Sequence, residues 1–246
     1  MSVFFSLSSF FRLFSFTFRL FQDLLSVVLP RTCPACGKPL KDWEECLCLT
    51  CLAGLPLTRF HEHPDNPLAE VFWGRVRLEQ AVAWFYFRKG SAYQDVMHNF
   101  KYNHRPDIGV YLGKQIGYEL KHSTIFVKPD VVIPVPLHRR KLRKRGYNQS
   151  EKISKGISIA LDIPMDIKTL YRSGKTATQT RKSRFERWLN VSGKFGLRDP
   201  DRIRDLHILL VDDVVTTGAT LEACAEVLLS VPGVRVSVAA VAWAKE

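Results

Sequence analysis

The sequence predicts an α/β protein, a parallel β-sheet flanked by helices, with a small cysteine module ahead of it. Apolar segments of strand length alternate with helical segments over residues 77–246, as in parallel sheets with crossover helices. One strand, 207–211, runs into two adjacent carboxylates and a Thr-Gly turn, and open α/β sheets bind ligands at such strand ends. Five of the six cysteines fall between residues 33 and 51. The 246 residues therefore predict one main domain and one small module.

Residues 1–29 are rich in Phe and Leu but contain Arg12, Arg19 and Asp23. The first eleven residues form the longest stretch without charge, shorter than the roughly 20 residues of a membrane-spanning helix. The segment also has neither the basic start nor the cleavage site of a signal peptide. From Phe10 the apolar spacing predicts an amphipathic helix that docks on the protein, with shallow membrane contact as the alternative. We expect a cytoplasmic protein without a transmembrane span.

Two CxxC pairs, Cys33 with Cys36 and Cys48 with Cys51, are separated by eleven residues and define a predicted module over residues 30–57. Four thiolates suit a tetrahedral structural zinc site, which has no open position for catalysis. Cys46 is left over and is an alternative third ligand, because its spacing to Cys51 also permits a turn. Disulfides or free thiols are the competing interpretation, and a reducing compartment disfavours disulfides.

The remaining elements follow in order. Proline and polar clusters predict a connector over 58–76, and the aromatic segment 78–90 predicts a strand or hairpin. Residues 91–123 predict two helices broken near Pro106, and a buried strand at 131–135 leads into a basic loop. Asn148 is the predicted N-cap of the next helix, with Glu151 at the capping-box position. The domain then contains a short strand near 165–170, a polar stretch at 171–195, strand 207–211, helix 218–230 and strand 234–242.

The formal net charge of +12 is high for this length and indicates an anionic partner. Phosphate esters, nucleic acid and a membrane surface all qualify, and a solvated basic face without a specific partner is the alternative. The run "HRRKLRKR" at 138–145 concentrates this charge directly after strand 131–135.

Asp212 and Asp213 stand at the end of strand 207–211, ahead of the loop "VTTGAT" and a helix. The N–H groups and dipole at the start of that helix favour an anion. Gly218 allows close backbone approach, and three hydroxyls can donate, those of Thr216, Thr217 and Thr220. Because neutral donors would hold the phosphate, the acids are left for sugar hydroxyls or a metal, which predicts a phosphorylated ribose as ligand. The alternative is a helix cap followed by an ordinary turn.

The segment "VDDVVTTGAT" resembles the phosphoribosyl-pyrophosphate signature of type I phosphoribosyltransferases. Two further segments, "VVIPVPLHRRKLRKRGYNQSEKIS" and "TQTRKSRFERWLNVSGKF", together with the double CxxC, are similar to the ComF family. That family includes late competence proteins linked to DNA uptake and GntX-type proteins. The resemblance extends from about Leu20 to the C-terminus and implies a type I phosphoribosyltransferase-like sheet.

The resemblance also implies roles for individual residues. Asp212 and Asp213 would hold the ribose hydroxyls, and Thr216, Thr217, Gly218, Ala219 and Thr220 would hold the 5-phosphate. A pyrophosphate loop would consist of Pro136, Leu137, His138 and Arg139, with residues 143–145 beyond the site. A mobile loop over 172–190 would close over the substrate, and its residues Gln179, Arg184, Arg187 and Asn190 match the family pattern. Mg²⁺ would accompany the pyrophosphate, and Lys101 is a further candidate contact.

The function that the resemblance implies is a ComF-type protein that binds phosphoribosyl pyrophosphate with Mg²⁺ and single-stranded DNA. Such a protein would assist DNA uptake in natural transformation, with DNA-uptake proteins as partners. The alternatives are an active phosphoribosyltransferase of nucleobase salvage and a regulatory binding module without chemistry. A purely structural zinc protein would leave the acid and Thr-Gly motif unexplained. The sequence leaves the acceptor open, because the aromatics of "VAWFYFRKG" suit either base stacking or a core.

Overall fold

The computed structural model describes residues 30–173 and 195–244, and the chain divides after Ala53 into two compact units. The helix predicted over 1–29 lies outside the described residues, as do the predicted mobile-loop residues Gln179, Arg184, Arg187 and Asn190. No helix in the described ranges is long and apolar enough to cross a lipid bilayer.

From residue 30 onward, the first unit contains the two CxxC turns and one short helix, α1 (Leu49–Ala53). At the first turn the N–H of Gly37 donates to the carbonyl of Cys33 at 2.8 Å. The positive φ of Gly37, 73°, is a conformation that favours glycine. Between the two turns, the buried Glu44 carboxylate accepts hydrogen bonds from the N–H groups of Lys41 and Leu49, each at 2.8 Å. Glu44 therefore fixes the backbone that separates the two cysteine pairs.

The second unit is built on a four-stranded, fully parallel sheet, which confirms the predicted fold class. Two short strands form a separate antiparallel pair beside it. In chain order the strands are β1 (Ala81–Tyr86), β2 (Val131–Pro134), β3 (Leu170–Arg172), β4 (Phe195–Leu197), β5 (His207–Val215) and β6 (Arg235–Trp243). The order in the parallel sheet is β1-β6-β5-β2. Since β1 pairs in parallel with β6, it is a sheet strand and not part of a hairpin.

Strand β5 is longer than predicted and runs through the acid pair to Val215. The reason is its neighbour β6, which supplies backbone partners as far as Trp243, opposite Val215. On the other side β2 ends at Pro134, opposite Val211. Beyond Val211, β5 therefore has a neighbouring strand on one side only, and space opens in front of Asp212 and Asp213.

Among its described residues, the second unit contains the helices α2 (Pro67–Glu70), α3 (Ala92–Tyr102), α4 (Pro106–His122), α5 (Arg139–Arg145), α6 (Gln149–Leu161) and α7 (Ala219–Leu229). The predicted break near Pro106 is confirmed between α3 and α4, and Asn148 caps α6 by accepting from the N–H of Ser150 at 3.2 Å. The basic loop prediction is wrong, because residues 139–145 form helix α5. Arg and Lys favour helices, and Gly146 ends this one in a left-handed conformation.

The segment predicted as a connector is packed along β1. It contains a 3₁₀ turn at 60–62 and helix α2, and it buries Phe60, Leu68 and Phe72. The buried Asn66 amide donates to the carbonyl of Ala81 at 2.9 Å and caps α2. Apolar residues among the prolines therefore make this segment part of the core.

Helices α4 and α6 cross closely enough that their contact requires glycine. A Cβ atom on Gly113 would lie 2.0 Å from the Ile153 carbonyl oxygen, and one on Gly156 would lie 2.2 Å from that of Val110. This contact holds α6 tightly against α4, so that the first residues of α6 are presented from a rigid support.

Candidate functional site

A cavity of about 210 Å³ lies in front of the carboxyl end of β5. Its lining brings together four cationic side chains and two carboxylates from four separate parts of the chain. The lining residues are Lys101, Val135, Pro136, Leu137, Lys141, Arg145, Gln149, Ser150, Arg172, Asp212, Asp213, Val214 and Thr220. This combination suits a ligand with a strongly anionic part and a hydroxylated part.

The two acids of the cavity have different partners. Asp212 accepts hydrogen bonds from the Ser150 hydroxyl at 2.9 Å and from the N–H of Asp213 at 2.8 Å. Asp213 forms an ion pair of 2.8 Å with the Lys101 ammonium group. Burial and the neighbouring Asp213 charge raise the pKa of Asp212 to about 7, although Ser150 and Lys101 act in the opposite direction. Asp212 is therefore partly protonated near neutral pH.

The Thr-Gly loop forms a second, smaller cavity of about 40 Å³ beside the first. All five predicted phosphate-loop residues line it, and Asp212, Val214 and Thr220 line both cavities. Gly218 precedes α7 with φ 75°, and a Cβ atom there would lie 2.9 Å from the Phe72 ring. Both the conformation and the available space therefore require glycine at the turn.

Arg75 braces this loop from outside. Its guanidinium donates to the Thr217 carbonyl at 3.0 Å and to the Val71 carbonyl at 3.1 Å, and it pairs with the Glu222 carboxylate in the first turn of α7. The contact neutralises an acid that lies next to the anion-binding loop. Sequence reasoning missed Arg75 because it lies in the segment assigned to a connector, 142 residues before Thr217.

The predicted pyrophosphate loop is only partly at the cavity. Pro136 and Leu137 line it, but the Nδ1 atom of His138 caps α5 by accepting from the N–H of Arg140 at 3.2 Å. Arg139 is exposed and does not line the cavity. Lys141 and Arg145 line it instead, because residues four apart share a face of a helix. The expectation that Arg145 lies beyond the site is therefore corrected.

Lys101 and Arg172 reach the cavity from α3 and from the end of β3. Lys101, a candidate contact that the family resemblance implied, therefore lies at the cavity, whereas Arg172 was predicted only as the first residue of the mobile loop. The sequence allowed the aromatic side chains of "VAWFYFRKG" either to stack on a base or to belong to the core, and two of them belong to the core. Trp84 and Phe85 are 4% and 1% exposed, respectively, and belong to the core through β1.

A larger cavity of about 520 Å³ lies between residues 61–62 and the C-terminal end of α4. His61, Glu62, Glu119 and His122 contribute polar groups to it, and none of the sequence-predicted site residues lines it. Size alone therefore does not identify the candidate site in this protein.

In the first unit, the sulfur atoms of Cys33, Cys36, Cys48 and Cys51 all lie within 4.8 Å of one another. The sulfurs of Cys36 and Cys48 are 3.7 Å apart, close to the roughly 3.8 Å expected between two thiolates on tetrahedral zinc. The N–H of Cys48 donates to the Cys33 sulfur at 3.5 Å. Cys46 is buried but is not one of the four clustered sulfurs. The arrangement fits a four-thiolate metal site with Cys48 as the third ligand.

Comparison with known proteins agrees with this geometry. The family model "Phosphoribosyl transferase domain" matches residues 118–246, slightly more than half of the chain. DNA utilization protein YhgH of Salmonella typhimurium is 31% identical over 204 residues, which cover 80% of this chain and 83% of the relative. Competence protein F of Haemophilus influenzae is 37% identical over 101 residues, 41% of this chain and 44% of the relative.

A third relative, competence protein ComFC of Bacillus subtilis, is 24% identical over 213 residues, which cover 85% of this chain and 75% of the relative. The described structure agrees with these similarities, because it has a parallel sheet with two acids and a Thr-Gly loop at the end of strand β5. On these grounds the chain belongs to the ComF family, with the fold of the type I phosphoribosyltransferases.

Proposed function

We propose that this protein binds phosphoribosyl pyrophosphate with Mg²⁺ in front of Asp212 and Asp213, and that it has a ComF-type role in handling DNA during natural transformation. One observation carries the binding proposal. The strand-end acids, the Thr-Gly loop and four cationic side chains line two cavities that share residues. A phosphate, a diol and a pyrophosphate each find groups of matching chemistry there.

Each part of the ligand has a matching set of partners. The carboxylates of Asp212 and Asp213 accept from ribose hydroxyls, and the N–H groups at the start of α7 hold the 5-phosphate. Lys101, Lys141, Arg145 and Arg172 surround the pyrophosphate. Mg²⁺ bound together with the ligand would neutralise part of the pyrophosphate charge.

Titration calorimetry of the zinc-loaded protein tests this proposal. We expect phosphoribosyl pyrophosphate with Mg²⁺ to bind, and ribose 5-phosphate and pyrophosphate each to bind more weakly. No heat and no protection of the protein against thermal unfolding would refute the proposed site. Release of pyrophosphate after addition of a nucleobase would identify the alternative, a salvage transferase.

Arg75→Ala should weaken binding at the phosphate end of the site. The variant frees the Thr217 carbonyl and leaves the Glu222 carboxylate unpaired beside the 5-phosphate. We expect affinity for ribose 5-phosphate to fall about three- to tenfold, since the pair is partly exposed. Affinity for pyrophosphate alone should not change, and calorimetry with both ligands measures this difference.

Two further variants separate the charge effect from a general loss of structure. Arg75→Ala combined with Glu222→Ala should recover part of the lost affinity, because the repelling carboxylate is gone. The exposed Arg77→Ala is the matched control and should behave like the unmodified protein. If Arg75→Ala binds ribose 5-phosphate as tightly as the unmodified protein does, the contact of Arg75 with the Thr-Gly loop has no role in binding.

We also propose single-stranded DNA as a partner, held along α5 and the end of α3. Six of the seven residues of α5 are basic and none of the seven is buried. Tyr102 is 47% exposed, with Lys144 Nζ and Arg145 Cζ at 6.0 and 5.5 Å from its ring centroid. An exposed ring among cations is the pattern of a base-stacking platform. The nearby Tyr147 is engaged differently, because its hydroxyl donates to the Phe100 carbonyl.

Tyr102→Ala should therefore weaken the binding of a fluorescent oligothymidylate. Loss of one stacking contact predicts a decrease of about fivefold or more, and affinity should fall steeply with salt. Tyr118→Ala is the matched control, because Tyr118 is also exposed, at 51%, but lies on α4. Equal losses in the two variants, or none in either, would contradict the assignment of Tyr102. Fluorescence anisotropy at several salt concentrations measures all three proteins.

We propose zinc as the metal of the four-cysteine cluster, with a structural role. Four sulfur ligands suit zinc and leave no open coordination position for a substrate. The first unit is short and contains one five-residue helix among its described residues, so a metal would supply much of its stability.

A further inference from the structure

The side chain of Gln149 is buried with only one of its two polar atoms paired. Gln149 is 1% exposed, and its Oε1 atom accepts a hydrogen bond from Arg145 Nη1 at 2.8 Å. Its Nε2 atom has no hydrogen-bond partner among the described residues. Buried amide donors are nearly always paired, and an unpaired one destabilises a folded protein.

The orientation of this amide is fixed by its neighbour. A guanidinium group can only donate hydrogen bonds, so the carboxamide oxygen must face Arg145. The NH₂ group, with its two donors, then points away from Arg145. Rotating the amide would place two donors, Nε2 and the Arg145 guanidinium, against each other.

Gln149 also lies where the ligand is expected to present a hydrogen-bond acceptor. It is the first residue of α6 and lines the cavity with Lys101, Lys141 and Arg172. The close crossing of α6 with α4 gives it a rigid backbone. A donor in a wall that is otherwise cationic is suited to an oxygen-rich anion.

We propose that Gln149 donates through Nε2 to a nonbridging oxygen of the pyrophosphate group, and that Arg145 orients it for this contact. The inference rests on the proposed binding of phosphoribosyl pyrophosphate. It makes Gln149 a specificity-determining residue for the pyrophosphate end of the ligand. An oxygen of the bound ligand would give this donor a partner.

Two variants test this role. Gln149→Leu removes the amide, and Gln149→Glu keeps an acceptor for Arg145 while replacing the donor with an oxygen. We expect affinity for phosphoribosyl pyrophosphate and for pyrophosphate to fall roughly tenfold in the first variant and further in the second. Affinity for ribose 5-phosphate should stay unchanged in both. The melting temperature of the free Gln149→Glu protein should not fall, because its contact with Arg145 is retained.

Calorimetry with the three ligands and thermal unfolding without ligand distinguish the possible failures. If the unmodified protein does not bind phosphoribosyl pyrophosphate, the proposed function itself fails. If the unmodified protein binds it and both variants bind pyrophosphate as tightly as the unmodified protein does, the role of Gln149 is overturned. A lower melting temperature in both variants with unchanged affinities would also overturn it, since Gln149 would then be purely structural.

Discussion

Replacing Asp212 with asparagine is expected to remove the affinity for phosphoribosyl pyrophosphate and to make the free protein more stable at pH 8. Asparagine keeps an oxygen that can accept from the Ser150 hydroxyl and from the N–H of Asp213. It removes a negative charge that is buried beside a second carboxylate. The same substitution therefore has opposite effects on stability and on binding, as is common in binding sites.

The size of the stability gain follows from proton linkage. The pKa of Asp212 rises from 3.8, the value for a free carboxyl, to about 7 in the folded protein. Between these values the folded state holds a proton that the unfolded state has lost, so stability falls as the pH rises through this range. A tenfold change in proton affinity corresponds to about 1.4 kcal/mol, so the loss is at most about 4 kcal/mol.

We therefore expect Asp212→Asn to be more stable by about 2–4 kcal/mol at pH 8, with the difference shrinking toward pH 4. Its affinity for phosphoribosyl pyrophosphate should fall at least about 100-fold, because bonds from ribose hydroxyls to a charged acceptor are lost. Denaturant unfolding at pH 5 and pH 8 and calorimetry at pH 8 measure the two effects.

Asp201→Asn is the matched control, because Asp201 is an exposed acid, with 82% of its side chain accessible, and is paired with Arg204 on the surface. It should leave affinity and the pH dependence of stability unchanged. Lower stability of Asp212→Asn at pH 8 would show that the carboxylate stabilises the free protein, which contradicts the assigned protonation. Unchanged affinity would remove Asp212 from the ribose site.

The sheet could be predicted because its strands are apolar runs with helical segments between them, a pattern that depends on neighbours in sequence. The end of β5 was misplaced because two carboxylates normally mark the end of a buried strand. Here pairing with β6 continues past them to Val215, and backbone pairing with a distant strand leaves no local signal. The acids are accommodated because β2 has already ended at Pro134.

Part of the site could have been found by closer attention to helical spacing. Lys141 and Arg145 lie four residues apart within a run that favours helix, so a helical interpretation of 139–145 would have placed both on one face. The ion pair of Lys101 with Asp213 and the brace from Arg75 to the Thr-Gly loop join segments that are far apart in sequence. Such contacts depend on the tertiary structure, and one sequence contains no pattern that indicates them.

The substitution expected to have the largest effect on the first unit is Cys48→Ser, which should abolish metal binding and leave residues 30–53 unfolded. Structural zinc in small modules has an apparent binding free energy of about 10–16 kcal/mol, most of which is folding free energy. Cys48 contributes one of the four clustered sulfurs, and its N–H also donates to Cys33. Removing its sulfur leaves three ligands for a metal that requires four.

Cys46→Ser is the matched control, because Cys46 is also buried and lies two residues away but is not one of the four clustered sulfurs. Metal analysis of the purified proteins should give one zinc per chain for Cys46→Ser and none for Cys48→Ser. Cobalt substitution gives a second measurement, since thiolate-to-cobalt absorption should appear only in proteins that keep four sulfur ligands. The reverse result, with zinc lost in Cys46→Ser and retained in Cys48→Ser, would assign the third ligand to Cys46. The turn from Cys46 to Cys51 would then hold the metal. Residues 46–51 would have a conformation different from the one described above, in which helix α1 begins directly after Cys48.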